Sequence, residues 1–420
     1  MHAFQTHTLF VWLISLVSIF CMLLRPWRIA EAVWISAGAA LLVVMRLVPF
    51  RDAAAAIGKG TDVYLFLIGM MLLAELARHE GVFDWLADVA LRHADSSASR
   101  LFILIYLAGV AVTALLSNDA TAVVLTPAVL AVVRRARVEP RPYLLACALI
   151  ANAASFVLPI SNPANLVVYG QHIPALGPWL RLFLMPSIAA ILATYLCLRA
   201  LSGNSLCAEI HRPTDQVQLN SQVRLALVGL LFAAVALLVA SGFGINLGAS
   251  TCGVAIAVVV LVSFRDKKIF LRVAKDVSWS ILPLVAGLFI LVEALNQAGL
   301  LQLIQNALQL LLHSSRLLSY LGASFGIAIL ANLMNNLPVG LASGAALAQT
   351  PAAQHLTPAI LIGVDLGPNL SVTGSLATIL WLIALRREQL EITPWQFLRV
   401  GIVAMPLALG VSILVLWALS

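Results

Sequence analysis

A chain of 420 residues that is 62% hydrophobic and only 10% charged cannot cover a globular surface with solvated side chains, so most of that surface must face lipid. The formal charge of +7 would suit nucleic acid, but the basic residues fall between apolar runs and imply no nucleic-acid partner. Cys21, Cys147, Cys197, Cys207 and Cys252 are far apart with no CxxC spacing, which gives neither a disulfide framework nor a zinc site.

In chain order, the first apolar run, 8–24, has no Lys or Arg before it and no small-residue cleavage site after it. It therefore reads as a span and not as a signal peptide. Further runs of spanning length lie at 30–50, 62–78, 143–169, 182–200, 223–241, 246–264, 278–297, 356–385 and 397–418, ten in all. Two other apolar segments, 101–133 and 317–348, are interrupted by the polar tips Ser117-Asn118-Asp119 and Asn335-Asn336-Leu337-Pro338. These read as hairpins that enter and leave on one side. Beside each hairpin entrance, 82–92 and 300–312 read as amphipathic helices. Trp27, Trp34, Trp179 and Trp395 read as interfacial anchors.

This layout puts 20 of the 25 Lys and Arg on one side and leaves Arg46, Arg51, Lys59, Arg181 and Arg316 on the other. By the positive-inside rule both termini are expected to be periplasmic, and the polar loop 201–222, with Gln216, cytoplasmic. Gly69, Glu75 and Gly81 recur as Gly287, Glu293 and Gly299 at an offset of 218 residues, and the same offset carries Ser117-Asn118 onto Asn335-Asn336. Five crossings per half is an odd number, so the second half must be inverted. The expectation is an all-α polytopic membrane protein with two inverted repeats of five spans. The first covers 1–200, with hairpin 101–133 and a discontinuous helix in 143–169; the second covers 223–420, with hairpin 317–348 and a discontinuous helix in 356–385. Residues 201–222 link them. Secondary transporters share this architecture, with the site near the midplane between the repeats.

Irregular backbone survives in hydrocarbon only where it lines protein or a wet cavity. The two tips demand such backbone, and so do two breaks within spans: Pro159 with Ser161-Asn162-Pro163-Ala164-Asn165, and Gly367-Pro368 through Gly374-Ser375. Half-helix ends at these places can hold small polar or charged solutes. Pro and Gly also kink spans and Asn and Ser also glue helices together, but four interruptions paired between repeats favour a site. The substrate-binding candidates are Ser117, Asn118, Asn162, Asn165, Asn335, Asn336, Thr373 and Ser375. Asp119, read as a helix cap at the first tip, and Asp365, about one turn before the second break, are the proton-coupling candidates. A carboxylate held in lipid costs at least ~2.5 kcal/mol and usually marks an ion or proton path. Glu75 and Glu293 lie near span ends and read as structural. No catalytic or metal-ligating set is evident. The two Asp residues do not sit in the Tyr-Asp and Gly-x-Gly-Asp contexts of an intramembrane aspartyl protease.

Val364-Asp365-Leu366-Gly367-Pro368-Asn369, Gly374-Ser375-Leu376-Ala377-Thr378 and Trp381 together resemble the signature of ArsB-type arsenite and antimonite efflux permeases. Asn118-Asp119-Ala120-Thr121-Ala122 with Leu125-Thr126-Pro127 resembles that family's first hairpin, Asn335-Asn336-Leu337-Pro338 its second, and Ser161-Asn162 with Asn165 its first break. Pro163 departs from the pattern. The resemblance implies a bacterial inner-membrane antiporter of the ion transporter superfamily, exporting arsenite or antimonite against proton entry. It implies no cofactor beyond the proton gradient, and it implies a cytoplasmic arsenite-stimulated ATPase as a partner. A sodium/proton exchanger on the same fold is the alternative.

Overall fold

The structure, a computed structural model, describes residues 2–211, 219–264 and 267–420; Gln216 lies outside the described residues. All regular structure among them is helical, in keeping with the fold class read from composition. The first half runs through α1 (His2–Leu24), α2 (Glu31–Val44), α3 (Phe50–Lys59), α4 (Thr61–His79), α5 (Val82–Arg92) and α6 (Ala98–Leu115). A π-helical turn, Ala120–Leu125, then leads into α7 (Thr126–Arg135), α8 (Arg141–Ala153), α9 (Pro163–Tyr169) and α10 (Leu176–Ser202). The second half comprises α11 (Ser221–Gly242), α12 (Leu247–Ser263), α13 (Lys267–Asp276), α14 (Ile281–Gln297), α15 (Leu300–Leu312), α16 (Arg316–Met334), α17 (Asn336–Ala348), α18 (Thr357–Leu366), α19 (Leu376–Arg387) and α20 (Pro394–Leu419).

Among the described residues seven helices are long and apolar enough to cross a membrane, or eight when the bent pair α3 and α4 counts as one span. Ten runs were expected, and the difference has local causes. The run 30–50 is cut at Val44, because Arg46 takes a left-handed φ of 56° and Pro49 starts a new helix. The runs 143–169 and 356–385 are each split in two by their breaks, and the run 246–264 yields α12, which at 17 residues counts among the shorter apolar helices. Conversely α6 and α16, arms of the hairpins, are long enough to count. The outward faces are apolar, with Phe232 57% and Val235 59% exposed on α11. That is the surface a lipid solvent selects.

The 218-residue offset reappears in helix boundaries: α5 and α15, α6 and α16, and α10 and α20 each start 218 residues apart. Gly81 and Gly299 explain their own recurrence, since both precede the amphipathic helices in left-handed backbone, at φ 74° and 100°, where a side chain would be strained. Packing is crosswise. Helix α4 lies against α12 and α14 against α2; α17 lies against α9, and the π turn of the first hairpin against α19. Gly344 shows how close one of these contacts is, because a Cβ there would sit 2.7 Å from Val168 O and 3.0 Å from Val167 O.

Candidate functional site between the tips and the breaks

Each hairpin tip stops at the break of its own half and is tied to it by one backbone hydrogen bond. Asn118 N donates to Ser161 O at 3.0 Å, and Asn336 N donates to Gly374 O at 2.9 Å. The tips therefore end part-way along the broken spans. At the first tip Ser117 Oγ accepts from Ala120 N at 3.1 Å and so caps the return arm. This corrects the reading of Asp119 as the cap: its carboxylate caps nothing, and only its N–H is engaged, donating to Asn118 Oδ1 at 2.9 Å. At the second tip Asn335 turns the chain at φ 74°, and its Oδ1 accepts from Leu337 N at 3.4 Å.

The breaks end in capped half-helices. Asn162 Oδ1 accepts from Ala164 N at 3.0 Å at the start of α9, and Pro163 falls in the first turn, where its missing N–H costs nothing. Ser375 Oγ accepts from Thr378 N at 3.1 Å at the start of α19. Tips and caps meet around a small cavity lined by Asn118, Asp119, Asn162, Asn336 and Ser375 among polar residues and by Leu67, Ile281 and Leu337 among apolar ones. No Lys or Arg lines it. The Asn336 side chain has no hydrogen-bond partner among the described residues, and neither does the Asp119 carboxylate. The cavity thus offers amide donors, amide and hydroxyl acceptors and one acid. A larger cavity of about 610 Å³ shares Asp119, Leu67, Pro163 and Ile281 with it and extends to Ser117, Glu75 and Ser278. A third, of about 670 Å³, lies by Lys59, Glu293 and Leu341 and shares no lining residue with the central one.

Five candidates lie off the central cavity: Ser117 and Asn335, which cap the tips, and Asn165, Thr373 and Asp365 about the breaks. Asn165 is fully buried and Nδ2 donates to Ser155 O, Leu158 O and Pro159 O at 3.0 to 3.3 Å, gathering the carbonyls freed where α8 ends. Thr373 Oγ1 donates to Asn332 O at 2.9 Å. Asp365 is fully buried behind Asn162, whose Nδ2 donates to its Oδ1 at 2.8 Å, and its Oδ2 has no partner among the described residues. Glu75 and Glu293 pair with Arg78 at 2.6 Å and Lys59 at 2.9 Å. Trp179 is corrected from interfacial anchor to core residue: it is fully buried, its ring lies 4.4 Å from that of Phe183 at a tilt of 40°, and Nε1 donates to Phe156 O in the first break.

Sequence reasoning missed the residues that set the second break. Asn332 uses its whole amide there, donating to Ala328 O and Gly367 O at 2.7 and 2.8 Å and accepting from Ser371 N and Oγ at 3.1 and 2.7 Å. Asn152 Nδ2 donates to Asn369 Oδ1 at 3.0 Å, and Asn369 Nδ2 donates to Leu149 O at 3.0 Å. A polar residue inside an apolar run was the signal that could have found Asn152 and Asn332.

Comparison with known proteins places this geometry. A family described as citrate transporter, CitMHS, matches residues 8–364. An arsenical pump membrane protein of Escherichia coli is 28% identical over 349 residues, 80% of this chain and 81% of that protein. One of Yersinia enterocolitica is 28% identical over 351 residues with the same coverage. An uncharacterized transporter of Mycobacterium tuberculosis is 27% identical over 375 residues, 86% of each chain. The crystal structure of the YdaH transporter of Alcanivorax borkumensis superposes with a TM-score of 0.59 at 18% identity, covering 88% of this chain and 87% of that one, a likeness of fold. Since the family match runs over 8–364, through both hairpins and the first break, the chain is a membrane transporter that belongs to the citrate transporter family.

Proposed function

We propose that this transporter exports arsenite and antimonite from the cytoplasm in exchange for protons. The observation that carries the proposal is the lining of the central cavity: amides and a hydroxyl, one acid and no cation. Citrate or a dicarboxylate would need a positive partner for its charge, and Asp119 would repel it. Arsenite near neutral pH is an uncharged trihydroxide that both donates and accepts hydrogen bonds, and Asn118, Asn162, Asn336 and Ser375 offer the complement. The name of the Escherichia coli relative, arsenical pump membrane protein, supports the same reading.

In this scheme the halves are inverted, both termini are periplasmic, the protein sits in the bacterial inner membrane, and the 610 Å³ cavity opens to the cytoplasm. Arsenite enters past Asp119 and binds between the two caps. A proton taken up from outside neutralises Asp119, which lowers the cost of moving the tip through lipid. Its release to the cytoplasm restores the charge and readies the site. A cytoplasmic arsenite-stimulated ATPase is a further proposed partner. Everted membrane vesicles test the proposal. Arsenite should accumulate under an inward-acid gradient and stop accumulating with an uncoupler. Accumulation that ignores the uncoupler sinks proton exchange. Protection of transport-deficient cells against sodium but not arsenite would favour the sodium/proton exchanger.

A further inference from the structure

The two caps that face the cavity, Asn162 and Ser375, stand 213 positions apart in the chain. The side chain behind each comes from the opposite half. Asn162 Nδ2 donates to Asp365 Oδ1 at 2.8 Å, and Ser375 Oγ reaches Asn152 Oδ1 at 3.4 Å while sharing a 2.9 Å contact with the Thr378 hydroxyl. Asn152 and Asp365 are again 213 positions apart. One brace is thus built twice, crosswise, with an amide in one copy and a carboxyl in the other.

Neither brace residue lines any of the three cavities, and their exposures are 1% and 0%. Asp365 touches the lining of the central cavity through Asn162, whereas Asp119 itself lines both the central cavity and the 610 Å³ cavity. The polar neighbours of Asp365 are all neutral: Asn162, and Ser155, whose hydroxyl donates to Asn152 O at 2.7 Å. No side chain donates to Oδ2 among the described residues. An amide at this position would keep the acceptor for Asn162 and put an N–H where Oδ2 has no partner, beside a Ser155 oxygen with lone pairs free. In the first half an amide already fills the equivalent place.

We propose that Asp365 and Asn152 are positioning residues, each holding across the boundary between the halves the cap that the other half presents to the cavity, and that Asp365 acts through Asn162 without carrying the coupled proton. The inference rests on the reading above that solute binds between the caps. Asn162 has one amide oxygen and two N–H groups. With the oxygen on Ala164 N and one N–H on Asp365, its second N–H has a fixed direction. Without Asp365 the amide can swing, and the cavity loses a placed donor.

The test measures arsenite uptake by everted vesicles over a range of pH for Asp365→Ala, Asp365→Asn, Asn162→Ala and the double variant Asn162→Ala with Asp365→Ala. Asp365→Ala should raise KM about 5-fold with little change in the maximal rate, the size of one lost buried partner. Asp365→Asn should recover most of that KM and keep a pH-dependent profile. The double variant should be no worse than Asn162→Ala alone. A pH-independent profile for Asp365→Asn would overturn the proposal and make Asp365 the coupling acid. Effects of the two Ala substitutions that multiply would equally overturn it. If wild-type vesicles take up no arsenite, the proposed substrate is wrong. The same double cycle read in thermal unfolding then decides the brace: additive shifts in midpoint refute it, and non-additive shifts support it.

Discussion

Asn336→Ala separates ligands from glue more sharply than any other change at the cavity. The Asn336 backbone N–H, bonded to Gly374 O at 2.9 Å, survives the substitution, while the side chain has no partner among the described residues to lose. Its removal therefore breaks no hydrogen bond within the described protein, only those made to whatever fills the cavity. A net hydrogen bond contributes about 0.5 to 1.5 kcal/mol, which converts to a rise in arsenite KM of about 2- to 13-fold. The repeat-equivalent Asn118→Ala makes the control, because Asn118 Oδ1 accepts from Asp119 N at 2.9 Å. That change leaves a tip N–H without a partner, at about 1 to 3 kcal/mol, and should lower stability as well as affinity. The assay pairs uptake kinetics in everted vesicles with unfolding midpoints of the purified protein, with and without arsenite. Asn336→Ala should keep the wild-type midpoint without arsenite, and arsenite should stabilise it less. A wild-type KM for Asn336→Ala, or a loss of midpoint equal to that of Asn118→Ala, would refute the reasoning.

Asp119→Asn should retain arsenite exchange while losing uphill uptake driven by a pH gradient; vesicles of this variant that keep wild-type pH dependence would move the coupling role elsewhere. Ser420→Cys in a background without reactive cysteines should be labelled by an impermeant thiol reagent from the periplasmic side only, and labelling from the cytoplasm would end the ten-crossing arrangement. Gly344→Ala should cost about 1 to 3 kcal/mol of stability, because its Cβ would meet the α9 backbone at 2.7 and 3.0 Å, and an unchanged unfolding midpoint would show that α17 and α9 are not so tightly packed.

Much of this site was legible because a chain in lipid can hide irregular backbone only at marked places. Tips and breaks had to carry capping residues, so Ser117, Asn162, Asn335 and Ser375 stood out, and the structure finds all four accepting from helix-start N–H groups. Gly81 and Gly299 were visible only as a recurrence at the 218-residue offset, and the structure supplies the reason, left-handed backbone that a side chain would strain. Choosing among adjacent capping residues was harder. Ser, Asn and Asp cap equally well, so sequence could not say that Ser117 takes the work and leaves the Asp119 carboxylate unengaged. Asn165 and Thr373 share the composition of ligands, yet Asn165 bonds the carbonyls of its own break, and the Thr373 hydroxyl bonds Asn332 O and the Ser371 hydroxyl. Asn152 and Asn332 escaped notice, and Asn369 was seen only as part of the signature run, because their partners are set by packing, up to 226 residues away. Trp179 was misplaced because an indole suits an interface and a core with one acceptor equally well.

The mounting of the two tips differs in one respect. The second hairpin returns as regular helix from Asn336, whereas the first returns through the π turn Ala120–Leu125. Hydroxyls prop that turn open: Thr121 Oγ1 meets Thr113 Oγ1 at 2.8 Å, and Thr126 Oγ1 donates to Thr121 O at 3.1 Å. A π turn winds one residue more than the α turn it replaces, so it is a length of chain in reserve. Rewinding it as α-helix would feed that residue along the arm, about 1.5 Å of travel with ~100° of rotation. The tip that bears the acid returns through this reserve, and its partner tip returns through regular helix.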